Sequence, residues 1–132
     1  MNERLATRIQ SSLVDGRLPC LFALAIAHEL GVPPLEVGRT ADAQKVRISR
    51  CQLGLFGYGP KSEGKSKIVQ AMPQVPDDLA ARLRAALNPA GQLTCAAAFT
   101  VAQEAQRPRQ EIANAAQALD IHVTECQLGC FT

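Results

Sequence analysis

Five cysteines are the residues of this 132-residue chain best equipped for chemistry. Cys20 and Cys51 lie 31 positions apart, Cys95 and Cys126 repeat that separation, and Cys130 is extra. Thiolates ligate zinc, iron and iron–sulfur clusters, commonly through closely spaced pairs such as C-x-x-C, and no such pair occurs. Cys126 and Cys130, with three residues between them, form only a weak ligand pattern. Met1-Asn2-Glu3-Arg4 leads into an amphipathic segment and not an apolar leader, so free thiols in a cytoplasmic protein are expected instead of a disulfide framework. A free cysteine also packs well as a small hydrophobe. The sequence therefore predicts packing thiols and no cofactor, with Cys20, Cys51, Cys95, Cys126 and Cys130 as candidate ligands in a minority metal- or redox-sensing reading.

Gly59 to Ser66 satisfies the phosphate-loop pattern G-x-x-x-x-G-K-S letter for letter. That chemistry needs a buried strand before the loop and a long helix after it. Pro73 and Pro76 leave little room for such a helix, so the stretch reads as a basic wing or linker. Net charge is +2 over residues 1–56, +2 over 57–67 and −2 over 68–132. Lys61, Lys65 and Lys67 beside Tyr58 suit contact with nucleic-acid phosphates, because lysines on a loop neutralise backbone charge without reading sequence. His28 and His122 fall opposite Gln103 and Arg47 of the repeat described next, so they belong to no repeated design. No Ser/His/Asp set or paired-carboxylate motif stands out, and the reading is non-enzymatic. With 4% aromatic residues, a base-stacking platform for single strands is not expected. The longest apolar run, Cys20 to Ala27, is too short to cross a membrane.

These residues sit in a duplicated framework. An offset of 75 aligns Gly16–Phe56 with Gly91–Phe131 without a gap and makes 15 of 41 pairs identical, including both cysteine pairs and the tail Cys-Gln-Leu-Gly-x-Phe. Upstream the offset drops to 74, placing Leu5, Ile9 and Leu13 on Leu79, Leu83 and Leu87. Period and punctuation predict, in each copy, a first helix ended near Gly16 or Gly91, a short extended stretch, a second helix (Cys20–Leu30; Cys95–Gln106), a turn, a third helix (Pro34–Gln44 in the first copy) and a strand at Val46/Ile48 or Ile121/Val123. The expected organisation is a first unit over 1–56, a linker or wing over 57–75 and a second unit over 76–132. A unit of this size is marginal alone, so the two are expected to pack together.

Ala27, Gly31 and Val37 stand at the spacing of a helix-turn-helix: a small residue where two helices approach, a glycine at the turn and a branched residue in the wedge. The chain thus resembles the helix-turn-helix superfamily, and the flanking strands bring it nearest the winged-helix branch. Ala102 and Ile112 match in the second copy, with Gln106 in place of the glycine. The tail Cys-Gln-Leu-Gly-Cys-Phe also resembles that of small uncharacterised prokaryotic proteins, which implies no activity. The resemblance implies a mainly α fold with short β strands, two tandem winged-helix-like units related by a pseudo-two-fold. It also implies double-stranded DNA as a partner in transcription regulation. Arg39 and Thr40 in the first unit, and Arg109, Gln110, Asn114 and Gln117 in the second, are the expected base-reading side chains. The alternative from another class is a protein-interaction or accessory module on the same scaffold, with a protein partner or self-association, and with cysteines that handle metal or redox chemistry.

Overall fold

Asn2 begins the first helix by accepting a hydrogen bond from the Leu5 N–H at 3.1 Å, the side-chain cap that a helix N-terminus favours. The computed structural model describes residues 2–59 and 64–131. In α1 (Glu3–Ser11) the four-residue spacing puts Leu5 and Ile9 on one fully buried stripe. Asp15 and Gly16 then both take positive φ, and Val14 and Arg17 exchange backbone hydrogen bonds across them. The corresponding turn of the second half runs from Asn88 to Gln92, closed by the Asn88 N–H on the Gln92 carbonyl at 2.8 Å. It holds one residue more, which is why the repeat offset changes from 74 to 75.

Two-residue strands follow. β1 (Leu18–Pro19) pairs in parallel with β2 (Ile48–Ser49), with Leu18 opposite Ile48; between them run α2 (Cys20–Leu30) and α3 (Pro34–Ala43). The second half contains α4 (Asp77–Ala85), β3 (Leu93–Thr94), α5 (Cys95–Ala105), α6 (Arg109–Ala118) and β4 (Val123–Thr124), with β3 parallel to β4 and Leu93 opposite Val123. The element order of the first half is repeated. The fold is mainly helical with short strands, as expected. A wing, however, is an antiparallel hairpin, whereas these strands pair in parallel across a helical connection. Among the described residues no single helix is long and apolar enough to cross a membrane.

The α2–α3 pair bends by 116°, within the range of a helix-turn-helix corner. Gly31 ends α2 at φ 66°, and the Val32 N–H reaches back to the Ala27 carbonyl at 3.0 Å. Gln106 ends α5 at φ 54°, with the Arg107 N–H on the Ala102 carbonyl at 3.0 Å. Gln106 makes the same left-handed turn as the glycine it replaces, at the steric expense of its Cβ.

The two halves exchange their tails. Cys51 and Leu53, which follow β2, pack in the core built by α4, α5 and α6, together with Leu55, Phe56, Val69 and Met72. Leu128 and Cys126, which follow β4, pack in the core built by α1, α2 and α3. Repeat-equivalent contacts mark both crossings. A Cβ on Gly54 would stand 3.1 Å from Gln110 of α6, and one on Gly129 would stand 2.8 Å from Leu35 of α3. Leu53 is fully buried and Leu128 nearly so. At the tail ends the rings of Phe56 and Phe131 meet edge to face, 6.3 Å between centroids.

Candidate functional site

The four repeated cysteines converge on one cavity. It is lined by Cys20, Cys51, Cys95 and Cys126, closed by Leu24, Phe56, Phe99 and Leu128, and flanked by Gln52 and Gln127. Its free volume is about 10 Å³, close to the smallest space that admits one water molecule. Charge on Cys51, Cys95 or Cys126 would be felt at Cys20, and charge on Cys126 at both Cys51 and Cys95, so the four form one cluster.

Local chain geometry brings them there. Cys20 and Cys95 are the first residues of α2 and α5, immediately after β1 and β3. Parallel pairing lays β2 beside β1 and β4 beside β3, and the next residues, Arg50 and Glu125, take left-handed φ of 48° and 53°. That kink leads the chain into Cys51 and Cys126. A tight turn then wraps each sulfur. The Gly54 N–H bonds the Cys51 carbonyl, and the Gly129 N–H bonds the Cys126 carbonyl, both at 2.9 Å. The N–H groups of Leu53 and Leu55 are directed at the Cys51 sulfur, and those of Leu128 and Cys130 at the Cys126 sulfur, with the carbonyl-bound Gly54 and Gly129 N–H groups beside them. Successive N–H groups aimed at one atom make an anion-binding nest, a construction found around phosphates and iron–sulfur centres. Cys20 receives the Gln52 N–H. Cys95 receives the Gln127 N–H and the Gln127 side-chain amide at 3.6 Å.

Burial pushes the Cys20 thiol up to about 12 and raises Cys51 and Cys95 as well. A hydrogen bond from Cys130, with backbone N–H groups adding to it, outweighs burial at Cys126 and pulls that thiol down to about 6. Cys130 is exposed and moves up as the protonated partner of that bond. Just outside the cavity Arg109 stacks on the ring of Phe99, 4.1 Å from its centroid, and reaches the side-chain oxygen of Gln52 at 3.5 Å. Among the described residues no group of three or more His, Cys, Asp and Glu side chains is arranged to hold a single metal ion.

The expected base-reading residues fare unevenly. Arg39 and Gln117 are exposed. Thr40 is buried, 8% exposed, and faces the core, so it offers nothing to a groove. Gln110 donates to the Ile68 carbonyl at 3.4 Å, and Asn114 accepts from the Gln70 N–H at 3.1 Å while its own carbonyl takes the Met72 N–H. Both are occupied in pinning residues 68–72 to α6. With Arg109 engaged at Phe99 and Gln52, three of the four candidates on that helix serve the join between the halves. The crossing tail, close against Leu35 and Gly38, covers the matching face of α3.

Lys65 and Lys67 are exposed, and Lys61 lies outside the described residues. Ser66 closes the loop, its hydroxyl accepting from the Gly57 N–H at 3.1 Å and its carbonyl from the Tyr58 N–H at 3.2 Å. Among the described residues no helix occurs between Ser66 and α4, so the phosphate-loop pattern lacks the helix that would give it meaning. Arg17, Arg50, Gly57, Tyr58 and Gly59 share a surface depression beside this loop. His28 and His122 are exposed. No family model, curated protein or solved structure matches the chain.

Proposed function

We propose that the protein is a non-enzymatic regulatory or accessory module, two tandem helix-turn-helix units related by a pseudo-two-fold, whose function is to hold a thiolate-ligated metal centre at their junction. The observation that supports this most strongly is the pair of Cys-Gln-Leu-Gly turns, one from each half, which wrap backbone N–H groups around sulfurs facing the same cavity as Cys20 and Cys95. Packing alone needs a small apolar side chain there and has no use for donors aimed at sulfur. Occupancy by metal would brace the junction that the exchanged tails already hold, and its removal would loosen it, which is how a metal or redox signal becomes a structural one. The setting this requires is a reducing compartment such as the cytoplasm. In protein purified without oxygen, metal in stoichiometric amount is expected, with Cys20, Cys51, Cys95 and Cys126 protected from alkylation and Cys130 open. Metal-free protein whose four repeated thiols alkylate identically before and after chelator treatment would sink the proposal.

A second reading, association with duplex DNA, is favoured by the cluster of Arg17, Arg50, Lys65 and Lys67 around Tyr58, since four of the six expected base-reading side chains of α3 and α6 are buried or already engaged. Such association is with phosphates. Replacing Lys65 and Lys67 with Ala is then expected to weaken binding to duplexes of any sequence and to lower the slope of log affinity against log salt by about 0.9 for each phosphate no longer neutralised. No retention of duplex at low salt removes this reading.

A further inference from the structure

Resting on the reading that the chamber binds metal, we infer that its occupant is an iron–sulfur cluster ligated by Cys20, Cys51, Cys95 and Cys126, and not a single zinc or iron ion. Four thiolates on one ion must all lie about 2.3 Å from a common point. Cys20, Cys51, Cys95 and Cys126 line one cavity, yet their side chains do not meet that demand. Among the described residues no three ligating side chains are arranged for one ion. A polynuclear inorganic core relaxes the demand: each sulfur bonds its own part of the core, the four ligands spread around it, and the walls part to admit it, since the free volume as folded is about 10 Å³.

Three further features fit a cluster. Its sulfurs carry negative charge that N–H donors stabilise, and all four thiols here receive such donors: Leu53 and Leu55 at Cys51, Leu128 and Cys130 at Cys126, and Gln52 or Gln127 at Cys20 and Cys95. Arg109, held against Phe99, supplies a cation outside a dry wall of Leu24, Phe56, Phe99 and Leu128. Burial, hydrogen bonds to sulfur and nearby charge are the means by which a protein sets the properties of such a centre. On binding, each of the four thiols gives its proton to solvent and forms one bond to iron, with iron and sulfide supplied from outside the chain.

The test is anaerobic reconstitution of the full chain with ferrous iron, ferric iron and sulfide, beside parallel samples given zinc alone. The expected product holds iron and acid-labile sulfide in equal numbers, two or four of each per chain, with broad visible absorption bleached by dithionite. Cys51→Ser and Cys126→Ser are each expected to lower the iron content at least several-fold, whereas Arg39→Ala, exposed on α3 and outside the cavity lining, leaves it unchanged. Circular dichroism of each variant separates ligand loss from unfolding, and Cys20→Ser and Cys95→Ser repeat the test from the other two ligand positions. Stoichiometric zinc bound by the four thiols, with no sulfide retained on reconstitution, would overturn the cluster and leave the metal-binding reading standing. If neither zinc nor iron is retained, both fail.

Discussion

Cleaved between residues 60 and 63 and separated, the two fragments are each expected to lose cooperative unfolding, and mixing them is expected to restore it. The reason is the exchange of tails. The first fragment keeps α1, α2 and α3 but lacks Leu128, which fills their core; the second keeps α4, α5 and α6 but lacks Leu53. Removing a buried leucine side chain costs about 2–5 kcal/mol, and here a whole tail goes with it. A body of under 70 residues has little stability to spare, since it buries only about 60% of the surface its unfolded chain exposes. Urea titrations followed by circular dichroism, with sedimentation to count fragments, make the comparison. A sharp monomeric transition in either isolated fragment would show that the crossing tails are decoration.

Gly38→Ala is expected to destabilise the protein by about 2–3 kcal/mol, near the upper end for overpacking. Gly38 is a helical residue of α3, where alanine ordinarily helps by about 1 kcal/mol. At this position a Cβ would overlap the backbone carbonyl oxygen of Leu128. A main-chain atom cannot swing aside as a side-chain tip can, so the crossing tail must lift off α3 and take Leu128 out of the core. Arg39→Ala, one position along and exposed, serves as control and is expected to change stability by less than about 0.5 kcal/mol. Equal effects of the two substitutions would mean that the close approach at Gly38 carries no weight.

What was legible in the sequence was local. Asn2, the Leu5/Ile9 spacing, Pro34, and the glycines at 16, 31 and 91 located helices, turns and strands to within a residue or two, because caps, periodicity and positive φ are short-range. The left-handed Gln106 also lay within reach: its place in the repeat required the turn even though its side chain argued against it. Two of the expected base readers are occupied for a non-local reason. Gln110 and Asn114 are competent hydrogen-bonding groups, and nothing in their own helix reveals that residues 68–72 occupy them. The thiol cluster was half visible. Parallel pairing of β1 with β2 explains why Cys20 and Cys51 are neighbours, but a repeat cannot say whether its copies keep their tails or trade them, since both arrangements satisfy the same pattern. The available signal was the tail itself: six residues with four identical in unbroken sequence, more identity than any helix of the repeat retains.

The traded tails also bear on how such a chain comes to exist. A single copy of the repeat cannot complete its own core; it can do so only by taking the tail of a second copy, so one unit alone would be an obligate pair whose folding follows its concentration. Joining two copies end to end removes that dependence, because the partner is then always present at the high effective concentration set by a short tether. It also lifts the requirement that both copies be the same. Cys130 in place of Leu55, the basic first half against the acidic second, and glycine at 38 where the other copy has Ala113 are differences that a symmetric pair of identical subunits cannot carry, and the fused chain carries all three.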